Sequence, residues 1–169
     1  MNSIRDQIMA TNELVEQPAH AIGEQTRRLA PETSFCIAAM RSVNADRQRV
    51  FHALTLPEYI ETWFSAPGAL IDRTVVSRWD EFFSISYSSA RSEQSRILCS
   101  YRVCRRSKLL FTWRHDNALE RRSSLVKIRM EGDFGRTAVH VTHLGLEPSD
   151  RQWHQDLWES SLEKMCKLF

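Results

Sequence analysis

"RQWHQDLWESSLEKMCKLF", Arg151 to Phe169, is the stretch on which the fold turns. At about 100° per residue, His154, Trp158, Leu162, Met165 and Phe169 gather on one helical face, with Leu157 and Leu168 on its flank. Asp156, Glu159 and Glu163 point away from that face. Just upstream, Pro148-Ser149-Asp150-Arg151-Gln152 has the spacing of a capping box: the Ser149 hydroxyl serves the N3 amide and Gln152 reaches back. About twenty residues of helix would span about 30 Å, enough to cross a whole sheet. Such a helix is not stable alone in water, so a surface must bury its stripe.

The segments ahead of it supply that surface. "SFCIAAMRSV" reads as an apolar strand. In "NADRQRVFHALTLPEYIETWF" the period changes: Asn44 caps a first helix that presents Val50, Phe51 and Leu54. Pro57 ends that helix and opens a second, which presents Tyr59, Ile60, Trp63 and Phe64 until Pro67-Gly68 stops it. Then come "TVVSRW", "FFSISYSS", "RILCSYRVC", "KLLFTWRH", "SLVKIRME" and "TAVHVTHLGL", strand-like and separated by "SARSEQ", "RRS", "DNALERR" and "GDFGR". Short polar breaks between neighbouring strands imply an antiparallel meander. Alternation gives it one wet face: Val126, Ile128 and Met130 oppose Leu125, Lys127, Arg129 and Glu131, while Val139, Val141 and His143 oppose Ala138, His140 and Thr142.

The order is strand, two short helices, about six further strands and a long helix. It predicts an α+β fold with a curved antiparallel sheet of about six to seven strands and the last helix packed across it. Residues 1–33 are polar and weakly periodic, and are expected to form an N-terminal arm, partly helical or disordered. The domain proper is placed at 34–169.

Composition narrows the function classes. Lys plus Arg is 23 and Asp plus Glu is 21, a net charge of +2, which argues against a dedicated nucleic-acid protein. The basic groups Arg102, Arg105, Arg106 and Lys108, and Arg121 with Arg122, are read as solvent-facing strand ends and turns. Cys36, Cys99, Cys104 and Cys166 form no CxxC pair or zinc-like spacing. With no signal-peptide pattern at the start and no run of membrane-span length, the expected compartment is the cytoplasm, with thiols reduced.

In order and spacing, "RVFHALTLPEYIETWF", "LLFTW", "GRTAVHVTHLGL" and "HQDLWESSLEKM" resemble the START-like SRPBCC superfamily. The branch they resemble is that of proteins related to the C-terminal domain of the activator of the heat-shock ATPase. The resemblance covers about Val43 to Phe169. It implies a helix-grip fold with an internal cavity between sheet and C-terminal helix, of the kind that takes lipids, sterols, polyketides or other apolar molecules. In eukaryotic relatives it implies contact with a chaperone ATPase. Relatives often carry glycine directly before the helix tryptophan; this chain has Leu157 there, which adds bulk beside the expected cavity.

His143 and His154 are the candidates for chemistry. Facing each other across sheet and helix, they would bind a ligand carbonyl or act as acid or base near neutral pH. The alternative is a pair of histidines hydrogen-bonded inside a packed core. His140 and His143 are three apart on a strand and point to opposite faces, while His20, His52 and His115 have no companions at ligand spacing; no metal site and no cofactor are expected. The cavity candidates are Trp63, Phe83, Tyr87, Tyr101, Phe111, Trp113, Val141, His143, His154, Trp158 and Leu162, which would equally serve as core. The leading reading is a non-catalytic protein binding an apolar small molecule or lipid, with His143, His154 or Tyr101 orienting a polar head. A co-chaperone-like module acting on a chaperone ATPase, and a cyclase- or hydrolase-like enzyme using the same pocket, are the alternatives. No nucleic-acid partner is expected, and monomer and homodimer both remain open.

Overall fold

In the computed structural model the described residues are 35–67, 75–79, 81–89, 92–116, 123–132 and 135–169. The expected N-terminal arm, the "DNALERR" break after Asp116 and part of "GDFGR" lie outside them. The elements are β1 (Phe35–Val43), α1 (Arg47–Thr55), α2 (Pro57–Trp63), β2 (Val75–Trp79), β3 (Phe82–Ser89), β4 (Ser92–Arg105), β5 (Lys108–His115), β6 (Ser124–Glu131), β7 (Thr137–Leu146), a 3-10 turn (Pro148–Asp150) and α3 (Arg151–Cys166). One seven-stranded sheet runs β1-β7-β6-β5-β4-β3-β2, with neighbours antiparallel. Strands β2 to β7 form the expected meander, and β1 closes onto its end. The strand boundaries match the alternation closely because a period of two needs only local side chains to be legible.

Several local expectations are corrected. Asp46, not Asn44, caps α1: its carboxylate accepts from the Arg49 amide at 2.9 Å. It sits immediately before the helix, whereas Asn44 follows directly on the strand. The capping box does not form. Pro148–Asp150 takes the 3-10 turn, Ser149 Oγ donates to Asp150 Oδ1 at 3.3 Å, and Gln152 reaches forward to Asp156. The helix thus begins after that turn and has 16 residues rather than about twenty, about 24 Å at 1.5 Å per residue. Strand β4 starts inside the expected "SARSEQ" break, since pairing Ser89 with Ser92 and Tyr87 with Ser95 extends the hairpin through polar residues.

Helices α1 and α2 meet at Pro57, and the Trp63 indole N–H ties them, donating to the Ala53 carbonyl at 2.7 Å. That carbonyl is one of those a helix end leaves without an intrahelical donor. Helix α3 buries His154, Leu157, Trp158, Ser161, Leu162 and Met165 against the sheet and α2. Each fully buried leucine or methionine there contributes about 1.5–3 kcal/mol. Ser161 interrupts the apolar stripe for a reason: its hydroxyl accepts from the Ser65 amide at 3.0 Å, where the helix crosses the end of α2.

Helices also cover both sheet edges. Gln155 on α3 donates to the Ala38 carbonyl on the outer side of β1 at 3.3 Å. Glu61 on α2 accepts from the Val76 amide on the outer side of β2 at 2.8 Å. Unpaired edge groups are templates for aggregation, and these contacts blunt them.

Candidate functional site

The inward face of the sheet is a wall of rings, because strands β3, β4 and β5 place aromatics at alternate positions. Phe83, Tyr101 and Phe111 form a triangle with ring centroids 5.0, 5.4 and 5.7 Å apart. Phe111 leads to Trp113 at 6.5 Å, and Trp113 meets Trp158 of α3 at 5.5 Å. Tyr87 lies against Phe64, 5.7 Å away, a contact partner not singled out as a site residue. Burial raises the Tyr87 phenol to about 12, partly opposed by its hydrogen bond with Ser95. Val141 and Leu162 belong to the same buried cluster, while Trp63 is tied to α1 by its N–H. All eleven candidates are buried, each 6% exposed or less.

At the α3 N-terminal end of this wall the histidines come together. The rings of His143 and His154 are 4.6 Å apart and nearly perpendicular. His143 sits in a directed hydrogen-bond chain. The Trp158 indole N–H can only donate, so His143 Nδ1, at 3.2 Å, accepts. The histidine proton is then on Nε2, which donates to Ser124 Oγ at 2.7 Å. Ser124 in turn donates to the Trp113 carbonyl at 3.2 Å. His143 is thus neutral, with both nitrogens engaged. Burial, with His154 and His115 adding to it, holds its pKa well below the ordinary value. His154 donates from Nδ1 to the Asp150 carbonyl one turn back, at 2.8 Å.

His115, which has no companion at ligand spacing in the sequence, joins this group through ring contacts, 5.8 Å from the His154 ring and 5.3 Å from Trp153. The signal was present, since His115 continues the inward series Leu109, Phe111, Trp113 on β5. Ser124, by contrast, carried none: a serine at the first position of a strand gives no hint of a histidine partner on the next one.

The Trp113 Nε1 donor of this wall, on a residue 2% exposed, has no hydrogen-bond partner among the described residues. Around it stand the rings of His143, His154 and Trp158, at 5.6, 6.2 and 5.5 Å. Leu157, on the residue before Trp158, is fully buried, so its bulk does lie in the interior.

A curved antiparallel sheet gripping a C-terminal helix is the helix-grip architecture of START-like SRPBCC proteins, a fold that typically binds ligands and is mostly non-catalytic, with some enzymes among its members. Residues 44–169 match the family model described as Activator of Hsp90 ATPase homolog 1-like protein, and the chain belongs to that family. Solved structures agree on the fold. Protein CV1439 from Chromobacterium violaceum superposes with a TM-score of 0.64 at 16% identity, covering 79% of this chain and 96% of that one. Protein Ms6760 from Mycobacterium smegmatis gives 0.64 at 12%, covering 79% and 90%. DynU16, a protein in the dynemicin biosynthetic locus, gives 0.57 at 18%, covering 78% of this chain and 46% of its own. A search of the curated proteins finds no match. No helix among the described residues is long and apolar enough to cross a membrane.

Proposed function

We propose that the protein binds an apolar small molecule or lipid between the sheet and α3, without turning it over, and that the Trp113 indole N–H anchors its polar end. The observation that carries this reading is the unpartnered Trp113 donor in an aromatic wall. A buried donor without an acceptor costs about 1–3 kcal/mol, and folded proteins keep few of them. A ligand carbonyl or ether oxygen would supply the acceptor, while the rings of Phe83, Tyr101 and Phe111 would take the apolar body. His143, held on both nitrogens, would frame the site rather than react in it.

Because the rings are buried, entry requires them to part, so association should be slow. The test uses delipidated protein and a panel of fatty-acid methyl esters, sterols and aromatic ketones, read by thermal shift and calorimetry. Trp113→Phe keeps the ring and removes the donor. A panel member should raise the wild-type melting temperature and bind the variant about tenfold more weakly, the equivalent of about 1.4 kcal/mol. If no compound shifts the wild type, or if the variant binds as well, the reading fails.

A further inference from the structure

The outer face of the sheet, turned away from α3, carries a charge pattern that the overall balance of +2 hides. Arg105, Lys108 and Arg129 stand directly opposite one another across β4, β5 and β6, and His140 continues the row on β7. Lys108 and Arg129 alternate with the buried Leu109 and Ile128, and residues paired across antiparallel strands share a face, so the row points outwards. Lys127, two residues from Arg129 on the same strand, adds a further cation. Glu131 reaches the row, 3.6 Å from Arg129 and 3.9 Å from His140. The acids Asp156, Glu159 and Glu163 lie instead on the exposed side of α3. Like charges placed opposite one another destabilise a sheet, so the row is costly in the free chain.

Beside this row the same face turns apolar. Leu110 lies opposite Lys127, and one step further Leu125 lies opposite Leu144. Leu144 is 37% exposed, and Phe82, which the register places on the same cross-strand line, is 58% exposed. Steps along a strand between same-face residues are about 7 Å, so the cation row passes through a mixed line of Leu110 and Lys127 to one on which Leu125 and Leu144 are neighbours and Phe82 lies beyond Ser100 and Thr112.

We propose that this face docks an acidic segment of a partner protein that carries apolar side chains among its carboxylates. Carboxylates would neutralise the cation row, and the leucine band would bury what lies between them. A phosphate backbone would be met by cations along its whole length, not by a row that gives way to leucines within two steps. With both sheet edges covered by helices, recognition would run through side chains and not through an added strand. This surface is separate from the Trp113 wall, so the two proposals stand or fall independently.

The full chain is tested by fluorescence anisotropy with a labelled nonapeptide, Glu-Leu-Glu-Glu-Phe-Glu-Glu-Leu-Glu, in low salt. The wild type should bind, and the double change Lys108→Glu with Arg129→Glu should weaken binding by at least about tenfold. Leu144→Ser should weaken it as well, and Lys164→Glu on α3 should leave it unchanged. Lys108→Glu alone relieves the like-charge row, so that single variant should also weaken binding yet melt no lower than wild type, which separates lost docking from lost folding. Absence of peptide binding, equal binding by the double variant, or tighter binding to phosphatidylserine vesicles or an oligothymidylate than to the peptide would each overturn the proposal.

Discussion

Acidification should destabilise this protein through His143, and the size of the effect follows from the bonds around that ring. Nδ1 accepts from Trp158 and Nε2 donates to Ser124. A second proton would set a donor against the Trp158 N–H, in a site that is fully buried. The folded protein therefore refuses a proton that the unfolded chain accepts near the ordinary histidine value of 6.5. The sign is fixed by this difference: the stability is fully present above about pH 6.5 and is lost as pH falls below it, until the depressed folded pKa is reached. Each pH unit in that window removes about 1.4 kcal/mol, so moving from about pH 7.5 to 5.0 removes at most about 2 kcal/mol through this one group. Carboxylates and the other histidines titrate too, so the measurement must be a difference. His143→Gln keeps an acceptor for Trp158 and a donor for Ser124 but does not titrate. Urea unfolding of both proteins at the two pH values isolates the term. The variant should lose measurably less than wild type over the interval, by up to about 2 kcal/mol. Equal losses would refute the neutral, doubly bonded histidine.

Three further outcomes follow from the same packing. Ser124→Ala leaves the His143 Nε2 proton without an acceptor and should cost about 1–3 kcal/mol in urea unfolding, with no change in fold by circular dichroism. Leu157→Ala, at a fully buried position of α3 beside Trp158, should cost about 2–5 kcal/mol. If the interior is a binding space as proposed, that variant should also accept larger members of the ligand panel by calorimetry. Gly132→Ala should cost more than about 1 kcal/mol in thermal unfolding. The backbone there has φ +128, and an added Cβ would fall 2.4 Å from the Arg136 carbonyl oxygen.

Much of this molecule was legible before its structure. The inward series of β5, β6 and β7, the proline-joined helix pair and the apolar stripe of α3 all rest on local periodicity, and they define the helix-grip order. The residues expected to line the interior are buried there together. What periodicity did not reveal was which residue caps α1, because whether Asn44 or Asp46 stands immediately before the helix depends on where the strand ahead of them stops. A polar run such as Ser92 to Gln94 likewise reads as a turn until its hairpin partner is known.

The deciding contacts are long-range. Ser124 and Trp158 reach His143 across 19 and 15 residues, and together they set its tautomer and its neutrality. A sequence shows that a histidine faces inward, but not whether it will meet donors, acceptors or empty space. Glu61 and Gln155 look like ordinary surface residues until the sheet edges they cover are in place. The row of Arg105, Lys108 and Arg129 is scattered over three strands and acquires its meaning only from register. Which side of each element is buried could be read from the chain alone, because that depends on neighbours two to four residues away. Tertiary structure alone decided what each buried polar atom finds opposite it, because hydrogen bonds are specific to atoms that the chain brings together only on folding.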